Sequence, residues 1–166
     1  KYDLGSGQRV GVEALLRWKH AEKGQISPAV FVPIAEEAGL MPALGAYVLD
    51  RAFAEAKRWP DLEVSINLSP VQFRHVELVE LLEQLIIKHN TDPARVVLEV
   101  TEGVLMESTD RNRHILDAIR ALGFKIALDD FGTGYSSLRY LSDFRFDKLK
   151  IDRAFVTGIQ ERKRAM

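Results

Sequence analysis

The sequence predicts an α/β fold in which a sheet of parallel strands is covered by helices. Short apolar runs alternate with amphipathic helical segments along the 166 residues, and this alternation is typical of βα units. Most apolar runs carry polar residues on one face near the carboxyl end, as in strands whose other face packs against helices. About five such units can be counted, whereas a complete (β/α)₈ barrel takes roughly 250 residues. We therefore expect an incomplete barrel.

The composition is that of one folded domain with room for a core. Hydrophobic residues make up 46% of the chain and the formal net charge is -1. This near-neutral balance gives no electrostatic case for a nucleic acid polymer or for direct contact with an anionic membrane. The absence of cysteine excludes disulfides and thiolate metal sites. The sequence has no signal peptide and no apolar run long enough to span a membrane, so we expect a cytoplasmic domain. A membrane anchor of the parent protein would lie in segments outside this sequence.

The first elements follow from turn and helix-start signals. Residues 9–17 predict a strand, and the turn at residues 3–7 predicts that whatever precedes it pairs antiparallel with this strand. Ser27-Pro28 predicts the start of a first helix that ends at Gly39. A second amphipathic helix is predicted by apolar residues at helical spacing: Leu44, Val48, Ala52, Phe53, Ala56 and Trp59.

The later elements repeat the same alternation. Residues 62–68 predict a strand, and Ser69-Pro70 begins a helix that runs towards Asn90. A further helix begins at Thr109 or Asp110 and ends at Gly123. The remaining predicted elements are strands at residues 96–101, 124–129 and 147–151, a short helix at residues 136–141, and a helix that begins near Ala154.

The polar residues at the carboxyl ends of the strands form the candidate site. They are Glu13, Asn67, Glu99, Asp129 and Lys150, with Asp130 just beyond its strand. Each alone is more typical of a half-exposed antiparallel sheet than of a site, but their recurrence on five strands favours a site at the mouth of a barrel. Carboxylate and amide oxygens suit Mg²⁺ or Mn²⁺, and a lysine could contact a phosphate or an activated water.

Other polar residues predict no site. Glu36, Glu37, Glu80 and Glu83 are predicted to be solvated faces of helices, and the four histidines show no metal-ligand spacing.

The candidate residues lie in motifs that resemble a known family. Residues 13–18, Glu-Ala-Leu-Leu-Arg-Trp, resemble the signature of the EAL-domain cyclic di-GMP phosphodiesterases. Four later motifs extend the resemblance over essentially the whole chain in the family's order: Asn-Leu-Ser at 67–69, Glu-Val-Thr-Glu at 99–102, Asp-Asp-Phe-Gly-Thr-Gly at 129–134 and Lys-Leu-Lys-Ile-Asp at 148–152. The resemblance implies a TIM-barrel-like (β/α)₈ fold with an antiparallel first strand, here one domain over residues 1–166 truncated at both ends.

The resemblance also implies roles for the site residues. The activity would be hydrolysis of cyclic di-GMP to linear pGpG at a two-metal site of Mg²⁺ or Mn²⁺. Lys150 would hold the attacking water or a phosphate, Arg17 and Leu15 would contact the substrate, and Glu102 would anchor the loop at residues 131–137. That loop and the helix after it would also form a homodimer. The implied metal ligands are Glu13, Asn67, Glu99, Asp129 and, for the second metal, Asp130.

One departure from the family leaves alternatives open. Beyond Lys150 the family pattern continues with a glutamate in an Ala-Glu-Gly-Val-Glu-like strand and then with Gln-Gly, and neither occurs in this sequence. We therefore expect little or no activity from the 166 residues alone. The alternatives are a silent cyclic di-GMP receptor, a structural remnant or swapped dimer, and a metal-free Schiff-base enzyme that uses Lys150.

Overall fold

The computed structural model describes residues 1–74, 77–106, 110–132 and 144–153. Among these residues no helix is long and apolar enough to cross a membrane. In chain order the elements are β1 (Gly11–Ala14), β2 (Trp18–His20), β3 (Gly24–Ile26), α1 (Pro28–Glu37), α2 (Met41–Ala56), β4 (Glu63–Leu68), a 3₁₀ turn (Pro70–Arg74), α3 (Glu77–His89), a 3₁₀ turn (Pro93–Arg95), β5 (Val96–Thr101), α4 (Glu102–Met106), α5 (Asp110–Ala121), β6 (Lys125–Phe131) and β7 (Lys148–Ile151).

The predicted parallel sheet is confirmed. Five strands lie in the order β1-β4-β5-β6-β7 and every neighbouring pair is parallel. The sheet curls into a half-barrel whose outer face packs against α2, α3 and α5. The core between sheet and helices includes Phe53, Leu82, Leu98, Leu116 and Ile126, each fully buried. Apolar residues that alternate along the strands therefore face the helices and leave the concave face to polar groups.

The expected antiparallel start is present. Tyr2 and Arg9 form an antiparallel bridge, and the Val10 amide donates to the Lys1 carbonyl at 3.0 Å. The Asp3 carboxylate closes the turn between them by accepting the Ser6 amide at 2.7 Å. This pairing places Lys1 beside the first strand of the sheet.

The first predicted strand is too long. β1 ends at Ala14, so residues 15–17 form a loop at the carboxyl end of the strand and do not continue its alternation. The chain then forms the β2–β3 hairpin, which the sequence did not indicate. Trp18 of this hairpin packs edge-on against Phe31 of α1, with ring centroids 5.5 Å apart. Trp18 therefore lies against α1 and outside the five-stranded sheet, and the strand predicted over residues 9–17 does not reach Arg17.

Three further differences concern element ends. β6 continues to Phe131, so Asp130 lies within the strand and not beyond it, because Ile151 pairs with Phe131 across an irregular register. The short helix α4 follows β5 directly and was not predicted, and Trp59 lies past the end of α2. His75, Thr109, the predicted helix at residues 136–141 and the helix from Ala154 onward lie outside the described residues.

The boundaries of α1 and α5 follow the predicted signals. The Ser27 hydroxyl accepts the Ala29 amide at 3.3 Å and caps α1, with proline at the first helical position. Gly39 and Gly123 follow α1 and α5 with φ of 67° and 97°, a conformation that glycine adopts without strain. The helix predicted to begin at Ser69-Pro70 differs: Pro70–Arg74 is a 3₁₀ turn, and α3 begins at Glu77.

An ion cluster lies on the concave face at the amino ends of the strands. Glu63 of β4 accepts hydrogen bonds from Lys125 of β6, at 2.7 Å, and from Lys148 of β7. Burial alone would raise the pKa of Glu63, but the two lysines outweigh it and hold the pKa below its ordinary value. The cluster thereby ties β4 to two strands that are not its neighbours.

We expect Glu63→Gln to lower the free energy of unfolding by about 1 kcal/mol at neutral pH, because the ionised carboxylate is the better partner for two lysines. Since the folded-state pKa of Glu63 is lowered, its contribution is present above the unfolded pKa of about 4.3 and is lost as the pH falls through the folded value. Urea unfolding at neutral pH and at a pH of about 3 should therefore show the variant and the parent converging in acid. Glu83→Gln, on the exposed face of α3, is the control and should change neither value. A difference for Glu63→Gln that persists in acid would contradict the ionic role.

Candidate functional site

The strand register brings the predicted polar residues to one edge of the sheet. Asn67 of β4 is opposite Glu99 of β5, which in turn is opposite Ala127 of β6. Glu13 of β1 is opposite Ser65, two residues before Asn67. Because the strands are parallel, these side chains project from the concave face near the carboxyl ends, where active sites of barrel folds lie.

The Lys150 ammonium marks the point on which three carboxylates converge. Its Nζ donates to Glu99 Oε2 and, at 2.6 Å, to Asp129 Oδ2, and it lies 3.9 Å from Glu13 Oε1. The Asn67 amide nitrogen donates to the same Glu13 oxygen at 2.9 Å. Five residues from five strands, which the sequence predicted as a set, are therefore connected by one chain of contacts through Lys150 and Glu13.

Glu99 is the most buried acid of the site, with no exposed side-chain surface. Its second oxygen, Oε1, accepts a hydrogen bond from the Lys1 ammonium at 2.5 Å, and Lys1 also donates to the Ser65 hydroxyl. Burial would raise the pKa of Glu99, but hydrogen bonds from Lys1, Lys150 and Ser65 outweigh it and hold the pKa below its ordinary value. Glu99 is thus an ionised carboxylate with one lysine on each oxygen.

The same contacts keep Lys150 charged. Burial would lower its pKa, but hydrogen bonds to Asp129 and Glu99 outweigh this and hold the pKa above the ordinary value for lysine. Lys150 is therefore an ammonium, a donor and a fixed positive charge, which is unsuited to attack a carbonyl as a free amine. This weighs against the Schiff-base alternative.

Asp130 lies at the rim of the site in a strained backbone conformation. Its φ is 55°, which is uncommon for a residue other than glycine, and its amide donates to Asp129 Oδ1 at 2.9 Å. Burial and the negative charges of Asp129 and Asp152 raise the pKa of Asp130. Such crowding of like charges at a strained residue is typical of functional sites.

Glu102 contacts the segment that follows β6. Its Oε1 accepts the Gly132 amide at 3.1 Å, 30 positions later in the sequence. The contact lies at the start of the loop that Glu102 was predicted to anchor. Residues 133–137 of that loop, and the helix predicted for the homodimer, lie outside the described residues.

Arg17 and Leu15 lie in the loop after β1, next to a cavity. The cavity has a volume of about 370 Å³ and is bordered by Leu15, Arg17, Asn67 and Thr101 together with residues of α1 and α2. Leu15 is 53% exposed, and the Arg17 guanidinium donates to the Leu16 carbonyl at 2.9 Å. A loop at the carboxyl end of a barrel strand is a usual position for residues that contact substrate.

The donor set fits a hard divalent cation. Within the described ranges, no three acidic, histidine or cysteine side chains already form a metal cage. However, the carboxylates of Glu13, Glu99 and Asp129 surround the Lys150 ammonium, so this point of the site already accommodates a positive charge. The Asn67 side chain adds an amide oxygen at the same edge of the sheet. Oxygen-only donors of this kind favour Mg²⁺ or Mn²⁺.

Two contacts of the site were missed from the sequence. Glu36, predicted to be a solvated helix residue, accepts the Ser69 hydroxyl at 2.5 Å and so links α1 to the turn after Asn67. Lys1 reaches Glu99, 98 positions away. No local signal pointed to Lys1.

These features define a class of protein: a βα half-barrel with a carboxylate-lined site at the carboxyl ends of its strands. The sequence model of the EAL domain family matches residues 1–166. The chain belongs to the EAL domain family, as its five motifs indicated.

Curated relatives agree with the family. The bifunctional diguanylate cyclase/cyclic di-GMP phosphodiesterase MucR of Pseudomonas aeruginosa is 42% identical over 159 residues, which cover 93% of this chain and 23% of MucR. Cyclic di-GMP phosphodiesterase PA2567 of the same organism is 39% identical over 163 residues, which cover 96% of this chain and 28% of PA2567. The chain therefore spans about a quarter of the length of these relatives.

Solved structures agree with the fold. A MucR phosphodiesterase structure in complex with cyclic di-GMP matches with a TM-score of 0.87 at 42% identity, over 93% of this chain and 64% of that one. The FimX EAL domain of Pseudomonas aeruginosa bound to cyclic di-GMP matches with a TM-score of 0.81 at 20% identity, over 89% of this chain and 61% of that one, and at this identity the likeness concerns the fold alone. The expected incomplete TIM-barrel-like fold is thus confirmed.

We expect Glu102→Ala to increase hydrogen exchange at the Gly132 amide, because the variant removes the acceptor of that amide. Glu102→Gln keeps a carbonyl oxygen at the same place and should retain most of the protection. Amide exchange of the intact protein, measured by mass spectrometry or NMR, compares the two variants. Equal protection of Gly132 in parent and Glu102→Ala would show that the contact does not hold the segment.

Proposed function

We propose that this domain is part of a metal-dependent phosphodiesterase that hydrolyses cyclic di-GMP to linear pGpG. The observation that carries the proposal is the convergence of Glu13, Glu99 and Asp129 on one positive charge, at the edge of the sheet where barrel enzymes bind substrates. The names of MucR and PA2567, which share the family and about 40% of the aligned residues, support the same reaction.

The acidic residues have the role of metal ligands in this proposal. Glu13, Asn67, Glu99 and Asp129 would hold one Mg²⁺ or Mn²⁺, and Asp130 would contribute to a second. When bound, such ions neutralise the charge of a phosphodiester and lower the pKa of a bound water from 15.7 to roughly 7 in favourable sites. Asp130 suits this role because the like charges of Asp129 and Asp152 around it favour a cation between them.

The cationic residues orient the substrate. Lys150 is held protonated by Glu99 and Asp129, so it can donate hydrogen bonds to a phosphate oxygen or position the attacking water. Arg17 lies at the cavity beside Asn67 with an exposed guanidinium, a group whose geometry matches a phosphate. The phosphodiester would thus lie between Arg17 and the carboxylate cluster.

We further propose that the protein is a homodimer formed through the loop and helix after Asp130. The Glu102–Gly132 hydrogen bond supports a fixed start for that loop. Sedimentation equilibrium of the intact protein would test this, and a monomer at all concentrations would contradict it.

We expect the intact protein to convert cyclic di-GMP to pGpG with Mg²⁺ or Mn²⁺ and to lose this activity in EDTA. Glu13→Ala and Asn67→Ala should lower kcat at least about a hundredfold, because each variant removes a proposed metal ligand. Both side chains are solvent-accessible, so we expect the two variants to remain folded. Chromatographic separation of the nucleotides gives the measurement, and Glu83→Gln on α3 is the control with unchanged activity.

Other outcomes separate the alternatives. Tight binding of cyclic di-GMP by the parent protein, without cleavage and without any effect of metal, would show that the protein is a silent receptor and not an enzyme. Cleavage that resists EDTA would contradict the metal-dependent mechanism.

A further inference from the structure

A second lysine contacts the buried carboxylate of the site, and the proposed reaction does not use it. Lys1 Nζ lies 2.5 Å from Glu99 Oε1 and also donates to the Ser65 hydroxyl. The Lys1 side chain is 28% exposed, so much of its length is enclosed by the concave face. Its backbone is held against β1 by the hydrogen bond between the Lys1 carbonyl and the Val10 amide. The contact is therefore built into the antiparallel start of the fold.

Lys1 and Lys150 occupy opposite oxygens of Glu99. Lys150 contacts Oε2 and faces Asp129 and Glu13, which is where the proposed metal ligands converge. Lys1 contacts Oε1 and the Ser65 hydroxyl, and within the described residues its side chain pairs neither with Asp129 nor with the carboxylate of Glu13, the residue opposite Ser65 on β1. A cation that binds among the carboxylates would thus take over contacts of Lys150, whereas Lys1 could keep its own.

We propose that Lys1 is a positioning residue that holds Glu99 in place before a metal binds and that lowers the affinity of the site for the metal. This inference rests on the proposed metal site. A carboxylate without exposed surface is unstable unless it is paired, and Lys1 supplies part of that pairing at all times. The same fixed positive charge repels a divalent cation bound to the other oxygen of Glu99. Lys1 would thereby lower the affinity for the metal while it keeps Glu99 positioned before the metal binds.

The consequence of removing the charge has a definite sign. Without Lys1, Glu99 retains Lys150 as its charged partner and its negative charge is less compensated, so a metal ion should bind more tightly. The metal-free protein should be less stable for the same reason. If Lys1 served only to pack or to orient Glu99, its loss would leave metal binding unchanged or weaken it.

The test is calorimetric titration of the intact, metal-free protein with Mn²⁺. We expect Lys1→Met to lower the Kd for Mn²⁺ roughly tenfold, Lys1→Gln to act in the same direction, and Lys1→Arg to remain near the parent because it keeps the charge. Lys125→Met is the matched control: it also removes a lysine paired with a carboxylate across strands, but in the Glu63 cluster at the other end of the sheet. Its Kd for Mn²⁺ should match that of the parent.

A second readout does not depend on the titration. In EDTA, Lys1→Met should unfold at lower urea concentration than the parent, and saturating Mn²⁺ should narrow the difference because tighter binding adds stability to the variant. An unchanged or higher Kd for Mn²⁺ in Lys1→Met and Lys1→Gln, with normal binding by the parent, would overturn this inference and leave the proposed function intact. No Mn²⁺ binding by the parent would overturn both.

Discussion

The concave face of this domain depends on pairing a carboxylate that has no access to water. Glu99 is fully buried in the middle strand of the sheet, where an unpaired charge would be costly. Lys150 and Lys1 each contact one of its oxygens, and they come from opposite ends of the described chain. The candidate site is therefore a network of ion pairs and hydrogen bonds that extends across all five strands, and each strand must keep its register for the network to form.

A second ion cluster repeats the principle at the other end of the same face. Glu63 contacts Lys125 and Lys148, so the inner surface has charged layers both at the site and at the amino ends of the strands. Between them the strands carry small residues such as Ser65 and Ala127, both buried. Within the described residues the helices pack on the outer face, which keeps apolar packing and the candidate site on opposite sides of the sheet. Polar residues of the candidate site can consequently be placed without disturbing the core.

The sequence predicted the parallel strands and which polar residues meet at their carboxyl ends, because both follow from local patterns. Val96–Thr101 was predicted residue for residue, and the alternation along it put Glu99 on the polar face. The errors arose where an alternating pattern extended beyond its strand, or where an element was too short to give a pattern. Residues 15–17 continue the alternation but form a loop, and the packing of Trp18 on Phe31 that follows is a contact between elements, which alternation does not encode. The end of β6 was set too early, since its last pairing depends on β7.

The sequence by itself determined the alternation of the five parallel strands with helices and, through its five motifs, the family. It also determined the face on which the polar residues at the strand ends lie: Glu13, Asn67, Glu99, Asp129 and Lys150. These depend on side-chain alternation, helical spacing and capping, which act over a few residues. Only the tertiary structure decided which charges meet. Lys1 and Glu99 are 98 positions apart and Glu36 and Ser69 are 33 apart, so their contacts depend on strand register and helix packing. The candidate residues of the site could be named from the sequence alone. Which lysine pairs with which carboxylate could not be, because these pairs form only where distant segments pack together.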